Sequence, residues 1–151
     1  HCLSVNRGTL TDEERFLINN HIVQTIIMLR GLPFPDYLKD VPDIAGNHHE
    51  HLDGSGYPRG LSAASMTPQA RMMAIADIFE ALTASDRPYK TGKLLSESVA
   101  LLADYVRMGH LDRNLFELFL RSGVHLRFAE RFLDSNQIDA VDIETALQRA
   151  G

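Results

Sequence analysis

Between residues 48 and 58 the chain reads His48-His49-Glu50-His51-Leu52-Asp53-Gly54-Ser55-Gly56-Tyr57-Pro58. Three imidazoles and two carboxylates fall within six residues, and the Gly-Ser-Gly-Tyr-Pro run that follows forbids a helix from continuing. Metal-binding side chains are thus concentrated where the backbone must turn. Imidazole with carboxylate suits Fe, Mn, Zn or Ni better than Ca or Mg. A mixed set with exchangeable positions suits hydrolysis by an activated water. On a short helical piece, His48 and His49 would project about 100° apart and so serve two neighbouring ions, or one ion and its water. The competing reading of the pair is a polar helix end whose imidazoles answer the helix dipole.

Two residues elsewhere belong to the same chemistry. Asp77 lies on a helical face with Ala70, Ala74, Ala81 and Ala84. Small neighbours admit a second helix, and a carboxylate that loses its water there requires a cation. That cation is a metal or an arginine, with Arg71 the nearest. His21 sits on the shoulder of an apolar stripe formed by Ile18, Ile22 and Ile26, where an imidazole serves either packing or ligation. Arg87 and Lys90, just past the Asp77 helix, supply a planar fork and a point charge suited to phosphate. Basic residues answering a helix C-terminus are the alternative. His51 reads as an exposed loop residue, and Asp53 before Gly54 as a turn residue or one that orients a histidine. His1, His110 and His125 have no acidic or imidazole neighbours in sequence and read as surface or capping residues.

The elements that must position these groups are helical. Thr11 to Glu14 form a capping box for a helix from about Asp12 to Arg30, ended by Gly31-Leu32-Pro33. A short helix is expected around Tyr37, then a brief helical piece carrying His48 and His49. Residues 52–68 are loop by composition. Pro68 opens a helix to about Ala84 that is apolar on nearly every side and therefore expected to be central and buried. Further helices are predicted over Ser96–Met108, Arg113–Ser122, His125–Leu133 and Ile138–Gln148, with Gly109 and Gly123 as breaks. No two-residue alternation is sustained, so the expected class is all-α, in a single domain over residues 1–151.

The 151 residues are 44% apolar with a net charge of −5, enough for a real core and unsuited to nucleic acid or anionic membrane through bulk charge. No apolar run approaches the roughly 20 residues of a membrane helix. The single cysteine, Cys2, excludes an internal disulfide and fits a reducing compartment, so a cytoplasmic location is expected.

The run His48-His49-Glu50-x-x-Asp53-Gly54-Ser55-Gly56-Tyr57-Pro58-x-Gly60-Leu61 resembles the HD-GYP family of metal-dependent phosphohydrolases. The likeness extends to Ala70-Arg71, Ile75-Ala76-Asp77-x-Phe79-Glu80-Ala81-Leu82-Thr83 and Arg87-Pro88-Tyr89-Lys90, and to Gly8-x-Leu10, Glu13 and His21. The resemblance implies a helical HD-type bundle with two or three iron or manganese ions that hydrolyses cyclic di-GMP. It further implies His21, His48, His49 and Asp77 as metal ligands and Arg87 and Lys90 as the phosphate grip. Gly56, Tyr57 and Pro58 would form the lip of the site or a surface for a diguanylate-cyclase-type partner. The family's His-Asp pair precedes the residue that matches His21, and this chain has no His-Asp dipeptide. The expectation is therefore an N-terminally incomplete bundle: the C-terminal part of a larger protein with an upstream sensory or regulatory domain, weakly active or inactive by itself. The alternatives are a non-catalytic module that binds the dinucleotide or a protein, and a phosphohydrolase for another nucleotide.

Overall fold

The computed structural model describes residues 12–84 and 92–151, with the side chains of the first helix described from Asn20 onward. Thr11, Arg87 and Lys90 lie outside the described residues, as does His1. Seven α-helices and no strand occur among the described residues: α1 Asp12–Arg30, α2 Val41–Gly46, α3 Pro68–Thr83, α4 Leu95–Arg107, α5 Arg113–Arg121, α6 Val124–Phe132 and α7 Ile143–Arg149. The all-α reading holds.

α1 ends where Gly31 and Leu32 turn back on the carbonyls of Ile27, Met28 and Leu29. A 3-10 turn at Asp36–Leu38 surrounds Tyr37, and α2 then packs across α1. Gly46 makes that crossing possible, since a Cβ there would stand 2.5 Å from Ile26 Cγ1. α2 stops at Gly46, so His48 and His49 occupy the turn after the helix and not the helix itself. Freed from helical phase, the two rings come together with centroids 4.1 Å apart.

α3 begins at Pro68, capped by Thr67 Oγ1 accepting the Ala70 N–H. It buries Ala70, Ala74, Ile75, Phe79 and Thr83, but Met72 and Met73 remain 47% and 42% exposed. The expectation of a helix buried all round is thus corrected to one buried along a stripe. The core joins that stripe to Leu95, Val99, Leu102, Ala103 and Val106 of α4, Phe116 and Leu120 of α5, Ala129 of α6 and Leu147 of α7. Asp112 caps α5 through the N–H groups of Asn114 and Leu115. Its other carboxylate oxygen accepts from Arg71 at 2.9 Å, so Arg71 is paired with Asp112 and not with Asp77. α7 starts later than its apolar pattern implies because Asp142 accepts from the N–H and hydroxyl of Thr145, capping the helix at residue 143.

Candidate metal centre

Three elements converge at one cleft. α1 presents His21, the turn after α2 presents His48 and His49, and α3 presents Asp77. One ligand atom from each of His21, His48 and His49 lies within 4.8 Å of the others, a group able to hold a metal ion. His21 meets His49 edge to face at 5.3 Å. Asp77 Oδ2 stands 3.8 Å from His49 Nδ1, too far for a hydrogen bond and close enough to share an ion. The cleft has a volume of about 360 Å³ and is lined by His48, His49, Tyr57, Asp77, Ala81 and Tyr105 among others.

The protonation of the imidazoles fits ligation. His48 Nδ1 lies 2.6 Å from the carbonyl of Ala45. A carbonyl only accepts, so Nδ1 carries the proton and Nε2 keeps its lone pair. His49 is pushed down to about 4, first by burial and next by the neighbouring His48, against the opposing pull of Asp77. At neutral pH its ring is uncharged and a competent donor.

Asp77 departs from expectation. Its side chain is 39% exposed, so it is not a desolvated carboxylate wedged between helices. The alanines around it leave open cleft beside it. What brings it to the histidines is its position on α3, next to α2.

The loop from Glu50 to Leu61 closes one side of the cleft. Tyr57 stacks on His49 with centroids 4.9 Å apart and planes 25° from parallel. Burial, and then the charge of Asp77, raises its phenol pKa, so it keeps its proton. The Tyr57–Pro58 bond is cis. Gly56 is obligatory, because a Cβ would fall 2.3 Å from the His51 nitrogen and 2.5 Å from Glu50 Cα. Glu50 is 1% exposed. Its two oxygens accept the backbone N–H groups of Arg59 at 2.6 Å and Leu61 at 2.8 Å. This carboxylate, read from sequence as part of a metal-binding cluster, is instead the clasp of the loop. The sequence signal for it was an acid placed before a long glycine-rich loop full of unpaired backbone donors.

His51, His110 and His125 differ from their sequence reading, whereas Asp53 agrees with its own. His51 and His110, taken as loop and surface residues, stack at 4.0 Å, 12° from parallel. Asp53 does serve a turn, its Oδ1 accepting from the N–H and hydroxyl of Ser55, but its Oδ2 also faces His110 at 3.7 Å. His125 is 1% exposed, within the core beside Phe119, because it shares the inward face of α6 with Ala129 four residues on.

The HD domain family matches residues 1–115. The chain belongs to the HD-domain family. Its HD-GYP type follows from relatives such as the 3'3'-cGAMP-specific phosphodiesterase 1 of Vibrio cholerae serotype O1, 39% identical over 76% of this chain and 26% of that protein. A cyclic di-GMP phosphodiesterase of Pseudomonas aeruginosa is 36% identical over 89% of this chain and 31% of its own length. The cyclic di-GMP phosphodiesterase response regulator RpfG of Xanthomonas campestris is 35% identical over 79% and 31%. The HD-GYP chain therefore spans about a quarter to a third of the length of these curated relatives. No helix among its described residues is long and apolar enough to cross a membrane.

Proposed function

We propose that this HD-GYP chain carries part of the catalytic centre of a divalent-metal phosphodiesterase that hydrolyses a cyclic dinucleotide, cyclic di-GMP in the first instance. The observation that carries the reading is the convergence of His21, His48 and His49 within 4.8 Å of one another, with Asp77 beside His49. The donor set fits iron or manganese: neutral imidazoles and one carboxylate, in a cleft with room for more than one ion. An ion held there supplies Lewis-acid stabilisation of phosphoryl charge and a nucleophile from water at neutral pH.

The chain's own residues do the rest. His48 is held in its ligating tautomer by Ala45. His49 is kept unprotonated by burial and packed in place by Tyr57. Tyr57, still protonated, offers a donor and an aromatic face at the rim, suited to an anionic, base-bearing substrate. Arg87 and Lys90, beyond the end of the helix that carries Asp77, are the proposed phosphate grip. Gly56, Tyr57 and Pro58 form the lip, and the same loop is a candidate surface for a diguanylate-cyclase-type partner. The V. cholerae and P. aeruginosa relatives, named for 3'3'-cGAMP and cyclic di-GMP, support this substrate class.

The test uses the protein at full length, loaded anaerobically with Mn²⁺ or Fe²⁺ and offered cyclic di-GMP and 3'3'-cGAMP separately. We expect turnover of at least one of them. His48→Gln and Asp77→Asn should each lower kcat by more than the 10- to 100-fold typical of losing a residue that merely orients a ligand. Metal-loaded protein that binds both dinucleotides and cleaves neither would overturn the proposal.

A further inference from the structure

His51, Asp53 and His110 come from two distant places in the chain and meet at the edge of the cleft, whose wall His51 shares with His48, His49 and Tyr57. Their meeting is fixed by backbone. The Leu52 N–H donates to the His110 carbonyl at 3.1 Å, and Leu52 in turn accepts from Ala63. Gly109, at φ +79°, reverses the chain after α4, and a Cβ built there would stand 3.8 Å from Asp53 Cβ. One ligand atom from each of the three side chains lies within 4.8 Å of the others.

The hydrogen bonds around the group leave its donors free on one side. Asp53 Oδ1 is occupied by Ser55, accepting its N–H at 2.9 Å and its hydroxyl at 2.7 Å. With that proton given to Asp53, Ser55 Oγ can only accept from His51 Nδ1, 2.9 Å away. His51 therefore carries its proton at Nδ1 and keeps the lone pair on Nε2. Asp53 Oδ2 is left facing His110 Nε2 at 3.7 Å. That is too long for a hydrogen bond, but close to the ~3.4 Å edge of a tetrahedral shell with ligand bonds near 2.1 Å. His110 Nδ1 is buried without a hydrogen-bond partner, so the polar contact of this ring is directed at Asp53 through Nε2.

We propose that His51, Asp53 and His110 form a second divalent-cation site, separate from the His21/His48/His49 group, for an ion of the Zn²⁺ class. Two imidazoles and one carboxylate, completed by water, are a ligand set for zinc or a neighbouring transition metal and not for Ca²⁺ or Mg²⁺. The bound ion would cross-link the Tyr57 loop to the corner between α4 and α5. It would thereby brace the residue stacked on His49 from the edge of the cleft that His51 lines.

The proposal does not depend on the catalytic reading and is tested with Zn²⁺ alone. Chelator-treated protein is titrated with Zn²⁺ while the imidazole nitrogen resonances of His51 and His110 are followed by NMR, and bound zinc is counted by mass spectrometry. We expect both residues to shift together with saturable occupancy. We also expect His110→Gln to lose one ion per chain, or at least tenfold in the affinity of one binding class, while His48→Gln leaves that class intact. His51→Gln, altering a partly exposed ring, provides the same comparison if His110→Gln does not fold. Resonances of His51 and His110 that stay unmoved at saturating Zn²⁺ would overturn the proposal. So would zinc counts and affinities unchanged in a folded variant.

Discussion

Glutamine in place of Glu50 changes one atom and should loosen one loop. The buried carboxylate accepts from Arg59 N–H at 2.6 Å and from Leu61 N–H at 2.8 Å. Hydrogen bonds to a charged acceptor contribute about 1.5–3 kcal/mol each, and a buried donor left unpaired costs about 1–3 kcal/mol. An amide can satisfy one of the two N–H groups with its oxygen, but its NH₂ then faces the other donor. The loop should therefore lose about 2–4 kcal/mol of local stability, which corresponds to roughly 30- to 700-fold faster amide exchange by opening of that segment. Native-state hydrogen exchange at the Arg59 and Leu61 amides is the assay. Core amides such as Phe116 and Leu120, both fully buried, serve as the control, since they report global opening. If Glu50→Gln leaves both loop amides protected to within about threefold of wild type, the clasp is not what holds the loop, and the account of how Tyr57 is kept on His49 fails with it.

Gly56→Ala forces a Cβ to within 2.3 Å of the His51 nitrogen. A backbone neighbour cannot yield, so overpacking of about 1–3 kcal/mol should lower the thermal midpoint by several degrees in calorimetry. Arg71 bridges Asp112 and the carbonyls of Ala63 and Met66. Arg71→Met leaves the mostly buried Asp112 without its cation and should cost about 3–5 kcal/mol in urea unfolding, with Arg71→Met/Asp112→Asn recovering part of the loss. His125 is held below its ordinary 6.5 by burial, which the Phe119 backbone offsets only in part, and neither ring nitrogen makes a well-formed hydrogen bond. The unfolded state takes up the proton first, so stability is full above pH 6.5 and declines as the pH falls below it. His125→Leu should flatten the decline in urea midpoint between neutral and mildly acidic pH, and an unchanged pH slope would contradict the assignment.

What the sequence revealed about this molecule was set by how local each cause is. Helix ends were legible because caps act over three or four residues: Gly31 ends α1, Pro68 opens α3, and Gly109 and Gly123 separate α4, α5 and α6. The errors came where a distant residue decides. Whether α3 is covered on all sides, whether Asp77 is desolvated and which acid takes Arg71 all depend on packing partners that no periodicity names. The histidines divide the same way. His48 and His49 advertise themselves by adjacency, whereas His51 and His110 are 59 positions apart in the numbering and meet only because the Leu52 backbone bonds to His110. Glu50 shows the limit of reading by residue type alone. An acid among imidazoles suggests a ligand, yet Glu50, buried beside a glycine-rich loop, accepts the backbone N–H groups of Arg59 and Leu61. The two roles are complementary in this fold. A loop that turns sharply enough to place Tyr57 against His49 bonds Gly54 and Tyr57 to local carbonyls but turns the Arg59 and Leu61 N–H groups to a side-chain acceptor, and the residue next to the ligands is the one within reach.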